Sequence, residues 1–367
     1  MFHYGNLFFI FLNEKPQKLR IISTLTYGIL NLGYPLARLM TERLINHYGS
    51  QSFTLLSEAC SMINSTKIKG VLAPVCTPFK ADLSPDRERF VAQCRWMLGQ
   101  GSGLAVFGTN SEANSLSVAE RIDLLEALLL AGLDPTRMMP GTGCCSFTDT
   151  VSLTAHAVKA GCAGVLMLPP FYYKGVSEEG LFRHFSEVIE RVGDKRLNIY
   201  LYHIPPVAVV GITPQLVERL LKRYPDNIAG MKDSSGDWSN TKTFLDQFAQ
   251  NGFDMFVGSE SFLLANMRNH GAGCISATAN VNPAAIDKLY REWKNSDAEA
   301  QQLALDIVRK ATGQYIMIPA LKVVIGHFTK DPGWATVRPP LTELSDTQAK
   351  TVIDDLKKIG FDMPGLG

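Results

Sequence analysis

From Lys67 onward, short apolar runs rich in β-formers alternate with longer stretches whose apolar residues recur every three or four positions. A two-beat pattern of this kind is the signature of repeated βα units. The runs that predict strands are Lys67–Pro78, Leu104–Gly108, Arg137–Gly141, Gly164–Leu168, Asn198–Tyr202, Ile228–Lys232, Phe253–Gly258 and Gly273–Ser276, eight in all. Between them lie helical stretches with start signals. Ser177-x-x-Gly180 precedes a stripe of Leu181, Phe182, Phe185, Val188 and Ile189, and Thr213-Pro214 precedes Leu216, Val217, Leu220 and Leu221. In both, a hydroxyl residue stands where the first free N–H groups of a helix need an acceptor, and in the second a proline fills the first turn. Ser84-Pro85 and Asn282-Pro283 predict two more starts of the same kind.

Eight strands, each followed by a helix at roughly 30-residue spacing, predict a (β/α)8 TIM barrel rather than an open sheet. An open doubly wound sheet would carry a G-x-G-x-x-G turn after its first strand, and Cys76-Thr77-Pro78 stands there instead. Beyond the eighth unit, Leu303–Lys310, Pro319–His327 and Thr347–Lys358 read as further helices. The expected organisation is therefore a barrel over 65–296 and C-terminal helices over 297–367 packed on it. Residues 1–64 are set apart as an N-terminal extension. Their apolar run Leu7–Leu12 is far too short to span a bilayer, and no basic stretch precedes it as in a secretory signal. A basic bias leaves an organellar transit peptide open, and Met62 leaves open an over-called start.

Composition narrows the classes. Lys and Arg number 36 against 35 Asp and Glu, so no general attraction draws the chain to nucleic acid or an anionic membrane. The seven cysteines are scattered, without a C-x-x-C pair, and read as small buried hydrophobes in a reducing, cytoplasmic setting. Cys144–Cys145 is the one adjacent pair. The seven histidines form no H-x-H or H-E-x-x-H cluster, so no metal centre is expected.

Barrel active sites lie at the C-terminal ends of the strands, which directs attention to the residues there. After the second strand stands Gly108-Thr109-Asn110-Ser111-Glu112, whose amides suit a carboxylate or phosphate, though such residues also make ordinary helix caps. The fifth strand ends in Tyr202-His203-Ile204-Pro205, where the tyrosine is either a proton shuttle or amphipathic packing. The sixth ends in Lys232-Asp233 after the apolar run Ile228–Met231. A lysine emerging from that wall is either desolvated towards a nucleophilic neutral amine, or a snorkelling side chain, or a partner of Asp233.

Taken together, GTNSE at 108–112, PPFYYKG at 169–175, YHIP at 202–205, GMKDSSGD at 230–237 and GAGCISATANV at 271–281 resemble the dihydrodipicolinate synthase and N-acetylneuraminate lyase family. The resemblance spans roughly residues 66–360 and implies a pyruvate-handling class I aldolase on a (β/α)8 barrel, using a covalent Schiff base and no other cofactor. It further implies that Lys232 forms the Schiff base and Tyr202 relays protons, while Thr109 and Asn110 hold the substrate carboxylate. Tyr172 would reach a neighbouring subunit's site in a homo-oligomer, a dimer or tetramer, and the backbone near Gly273 and Ile275 would line the pyruvate pocket. The synthases carry an arginine shortly after Y-x-x-P, whereas Pro206–Ile212 holds no basic residue, and Asn110 has no hydroxyl to pass a proton. IPALK at 318–322 and PPLTELS at 339–345 are similar to 4-hydroxy-2-oxoglutarate aldolases. The expected partner is thus a small 2-oxo acid, with a 4-hydroxy-2-oxoglutarate-like or sugar-acid-like substrate preferred to the synthase reaction. The apolar Val207–Val210 stretch disfavours a strongly anionic far end unless a basic residue arrives from another loop. Two other readings stay open here: a non-catalytic barrel that binds a small acid, and a phosphosugar enzyme using Gly258-Ser259 and Gly271–Gly273 as a phosphate site.

Overall fold

Seven of the eight predicted strands form one parallel sheet in the computed structural model, which describes residues 67–366. They are β1 (Gly70–Ala73), β2 (Gly103–Leu104), β3 (Val165–Met167), β4 (Ile199–His203), β5 (Ile228–Asp233), β6 (Asp254–Val257) and β7 (Gly273–Ile275). Their order is β2-β1-β7-β6-β5-β4-β3. The predicted third strand, Arg137–Gly141, forms no ladder but touches both open edges through single bridges, Leu104 to Met138 and Gly141 to Leu166. Pro140 has no N–H to give, so a continuous ladder is impossible there. Even so, Met139 N–H reaches Leu104 O at 2.8 Å, Gly141 N–H reaches Val106 O at 2.7 Å, and Pro140 O accepts from Leu166 at 2.9 Å. The ring closes through that segment, and the sheet is a barrel.

The helices around it are α1 (Arg87–Gly99), α2 (Val118–Leu130), α3 (Phe147–Lys159), α4 (Glu178–Val192), the single turn α5 (Pro205–Ala208), α6 (Pro214–Arg223), α7 (Trp238–Phe248), α8 (Leu263–Arg268) and α9 (Pro283–Glu292). Ser177 and Thr213 cap α4 and α6 as predicted, accepting from Gly180 at 3.1 Å and Leu216 at 3.1 Å. The start predicted at Ser84-Pro85 lies two residues late: Pro85 bridges to Phe79, and the carboxylate of Asp86 caps α1 by accepting from Arg89 at 3.1 Å. Pro283 opens α9, but Asn282 makes no side-chain cap bond. Three further helices follow, α10 (Ala298–Thr312), α11 (Met317–Thr329) and α12 (Asp346–Lys358), and bury Leu305, Leu321, Val324, Ile325, Val352 and Leu356 in one cluster with α1 and α2. Among the described residues no helix is long and apolar enough to cross a membrane. The features read in residues 1–64, Cys60 among them, lie outside the described residues.

Strand pleating sorts side chains into two shells. Ile199, Leu201 and Met231 point outward under the helices, whereas Leu72, Ala105, Leu166, Tyr200, Phe256 and Ile275 fill the barrel. Gly273 is required where β7 meets β1: its φ of +143° and the overlap any Cβ would make with Gly70 O exclude other residues.

One residue of the outer shell has a measurable pH signature. His184 on α4 lies edge-on to Phe147 and Phe185, with ring centroids 5.9 and 5.5 Å away, and its Nε2 has no partner. Burial pushes its pKa down to about 4. The folded chain therefore refuses a proton that the unfolded chain takes up from about pH 6.5 downward, so stability falls between those two values and levels off below. His184→Phe should flatten that acid limb in urea titrations run across pH 4–7; an unchanged slope would show that other groups carry it.

Candidate active site

Tyr202 and Lys232 are direct partners across the β4–β5 ladder, so the pleat turns both side chains into the barrel mouth. The Lys232 ammonium donates to Tyr202 Oη at 3.2 Å, and the same oxygen lies 3.2 Å from Thr109 Oγ1. Lys232 is 3% and Tyr202 2% exposed. Burial alone would raise the phenol's pKa, but the charge of Lys232 and hydrogen bonds from Thr109, Lys232 and Ser234 outweigh it and bring the pKa below its usual value. A lysine, a phenol tuned towards phenolate and a hydroxyl thus form one line from β5 to the loop after β2. Asp233 does not pair with Lys232. It faces the helices, where Ser235, Asn240 and Thr241 surround its carboxylate, with Thr241 Oγ1 at 2.6 Å.

Loop 108–112 is bracketed by two strained residues. Phe107 and Glu112 have φ of 62° and 54°, a region that bulky side chains rarely enter. Thr109–Ser111 form a tight turn in which the Thr109 and Asn110 amides meet no acceptor among the described residues. Asn110 is half-buried and, unlike Thr109, is not among the residues that line the neighbouring cleft. That cleft is walled by Leu166, Leu168 and Tyr202 and by the backbone of Gly108, Gly141 and Gly143, with Asn114 at its edge.

The remaining sequence candidates fall in two places. Ile275 is buried in the inner cluster that also contains Tyr202, and Gly273 enters β7 below it. Tyr172 stays outside the cluster, 72% exposed and edge-on to Tyr173 at 5.4 Å. The alternative phosphate loop is not built. The Gly258 amide donates to Asp233 O at 2.7 Å, the carboxylate of Glu260 is buried beside it, and Gly271–Gly273 lies at the opposite end of β7 from the mouth. Cys145 is exposed and Cys144 receives a hydrogen bond from Arg121 at 3.2 Å, so the reading of the cysteines as buried packing fails for that pair. Among the described residues no group of three or more His, Cys, Asp or Glu is placed to hold a metal ion.

Two buried carboxylates escaped the sequence reading. Glu112, 4% exposed, is ion-paired to the fully buried Lys322 of α11 and accepts the Arg338 N–H at 3.0 Å. Glu260 is held by Ser276, Thr278 and, at 2.8 Å, Arg309 of α10. The C-terminal helices thereby anchor the loops after β2, β6 and β7. The one signal for the first was a lysine inside the apolar run IPALKVVIG.

A family model described as the Dihydrodipicolinate synthetase family matches residues 67–359. The chain is 32% identical over 284 residues to an uncharacterized DapA-like lyase of Chloroflexus aurantiacus, covering 76% of this chain and 93% of that one. It is 29% identical over 297 residues to a 4-hydroxy-tetrahydrodipicolinate synthase of Methanococcoides burtonii, with 80% and 98% covered. The crystal structure of dihydrodipicolinate synthase from Agrobacterium tumefaciens superposes with a TM-score of 0.74 at 31% identity, covering 80% of this chain and 99% of that one.

Proposed function

The chain belongs to the dihydrodipicolinate synthetase family and is an aldolase-type lyase, and from that premise we propose that Lys232 forms a Schiff base with pyruvate or a longer 2-oxo acid. The observation that carries this reading is the buried line Lys232–Tyr202–Thr109 at 3.2 Å per step. Lys232 first gives up its ammonium proton to water at the mouth; the neutral amine then attacks the C2 carbonyl, and loss of the C2 oxygen as water leaves an iminium that draws electrons from C3. In the cleavage direction Tyr202 takes the proton of the C4 hydroxyl, the C3–C4 bond breaks, and an aldehyde departs. The enamine left on Lys232 is protonated at C3, and water then releases pyruvate. The free amides of Thr109 and Asn110 receive the C1 carboxylate. Asn110 carries no hydroxyl, so the proton path ends at Thr109. No external cofactor enters the scheme, and Tyr172, exposed here, would complete the site of a second subunit in a homo-oligomer.

Incubation with pyruvate and borohydride tests the reading: a stable adduct is expected on the peptide containing Lys232. An unmodified Lys232 would sink it and return the non-catalytic barrel to favour. Tyr202→Phe should keep the adduct but slow turnover about 10²–10⁴-fold, the usual range for a lost proton relay. Turnover within a few-fold of the parent would remove Tyr202 from the mechanism.

The synthase reaction is the second reading, supported by the names of several relatives. Against it stands the missing arginine that the synthases carry shortly after Y-x-x-P, since Pro206–Ile212 holds no basic residue. Release of pyruvate from 2-oxo acids, set against condensation of pyruvate with aspartate semialdehyde, separates the two.

A further inference from the structure

We infer that the groove between α11 and α12 is a binding site for a small organic anion with an apolar body. The inference stands apart from the chemistry at Lys232. The groove has a volume of about 610 Å³, within the roughly 300–1,000 Å³ usual for small-molecule sites. Its floor is apolar. Val323, Gly326, Ala335, Ala349 and Ile353 line it, and Lys322 adds only its stem, because its ammonium is spent on Glu112 and Thr336 O.

The rim carries the opposite chemistry. Lys330 at the end of α11 and Lys357 of α12 both line the groove and are exposed. Neither makes an ion pair among the described residues, because the acids beside them are engaged. Asp354, the one carboxylate in the lining, is paired with Lys350, and Asp355 is paired with Lys358. His327 lines the groove from α11, where partial burial and then the Lys357 charge hold its imidazole below the usual pKa. It is therefore neutral at pH 7 and adds a hydrogen-bonding ring rather than a third charge. Two like charges share one apolar groove with no free acid between them. An anion relieves their repulsion while its body covers the floor. Lys330 adds a second sign. Its φ of 55° closes α11 in the left-handed conformation, where glycine or asparagine is usual, so a lysine holds that place at a conformational cost.

The test uses the full chain and two probes that differ only in charge. They are 8-anilinonaphthalene-1-sulfonate and N-phenyl-1-naphthylamine, the same rings without the sulfonate. Fluorescence titration should show one saturable site per chain that prefers the sulfonate, and the melting temperature should rise as it fills. The double variant Lys330→Gln, Lys357→Gln should weaken the sulfonate about 10-fold and leave the neutral probe within about two-fold, the loss expected for two exposed charge-assisted contacts. Ala349→Trp fills the floor and should exclude both probes, with circular dichroism confirming that each variant is folded. Phenyl phosphate and 3-phenylpropionate then compete for the bound sulfonate, and the stronger competitor tells a phosphate ligand from a carboxylate. Equal affinity for the two probes, sulfonate binding untouched by the lysine changes, or parental binding to Ala349→Trp would each overturn the inference. So would failure of both competitors, or the absence of any saturable site, the result expected if a second copy of the chain covers the groove.

Discussion

Lys232→Met should abolish pyruvate release and leave no borohydride-trappable adduct, with kcat reduced on the order of 10⁴-fold or more. The loss is this large because every step passes through the amine: without it no iminium forms, and the C3 carbanion has nowhere to place its electrons. Methionine keeps the length and the apolar stem of lysine, and residue 232 is 3% exposed among apolar barrel walls. Removing a buried charge there should leave the melting temperature unchanged or slightly higher. That pairing of outcomes is what makes the result interpretable. A variant that is inactive but melts at the parent temperature assigns the loss to chemistry; one that still releases pyruvate at near-parental rate would remove Lys232 from catalysis altogether. The comparison with Tyr202→Phe is equally informative, since that variant should still carry the adduct. The two variants separate bond formation to the substrate from proton movement, although their side chains touch at 3.2 Å.

What the sequence disclosed follows from which interactions are local. The strand ends at Tyr202 and Lys232, and the caps Ser177 and Thr213, are short-range features written in neighbouring residues, and each is where the pattern predicts. The register that sets Tyr202 beside Lys232 is not local. Shifting β4 by one residue would turn Tyr202 to the helices and leave every local preference satisfied, so pattern alone cannot choose it. The third strand was legible as an extended segment but not as a bridge, because Pro140 removes the donor that a full ladder would need. The left-handed backbone at Phe107 and Glu112 was invisible for the opposite reason: neither residue type announces a positive φ, and tertiary packing imposes it. The site was therefore readable as a set of reactive residues and unreadable as a line with a direction.

Lys322→Met should be the most destabilising single change near the site, costing about 3–5 kcal/mol and lowering the melting temperature by roughly 5–15 °C. Lys322 and Glu112 are 210 residues apart in sequence, and both are shut away from water. With the ammonium removed, Glu112 keeps only the Arg338 N–H, and a lone buried carboxylate is far costlier than the pair. Phe79 adds to the site's rigidity, since Lys322 and Arg338 both lie over its ring, at 4.5 and 4.7 Å. The double variant Glu112→Gln, Lys322→Met carries no buried charge and should recover most of the lost stability while still accepting from Arg338. If it does, and pyruvate KM remains raised several-fold, the pair positions the loop as well as stabilising it. That loop carries Thr109, whose hydroxyl meets Tyr202 at 3.2 Å, so a small displacement at the strained Glu112 reaches the phenol through the short turn Thr109–Ser111. If Lys322→Met melts like the parent, the pair contributes nothing net. The anchoring of the β2 loop would then have to come from the bidentate contact of Arg338 with Glu120, at 2.5 and 3.0 Å, outside the buried pair.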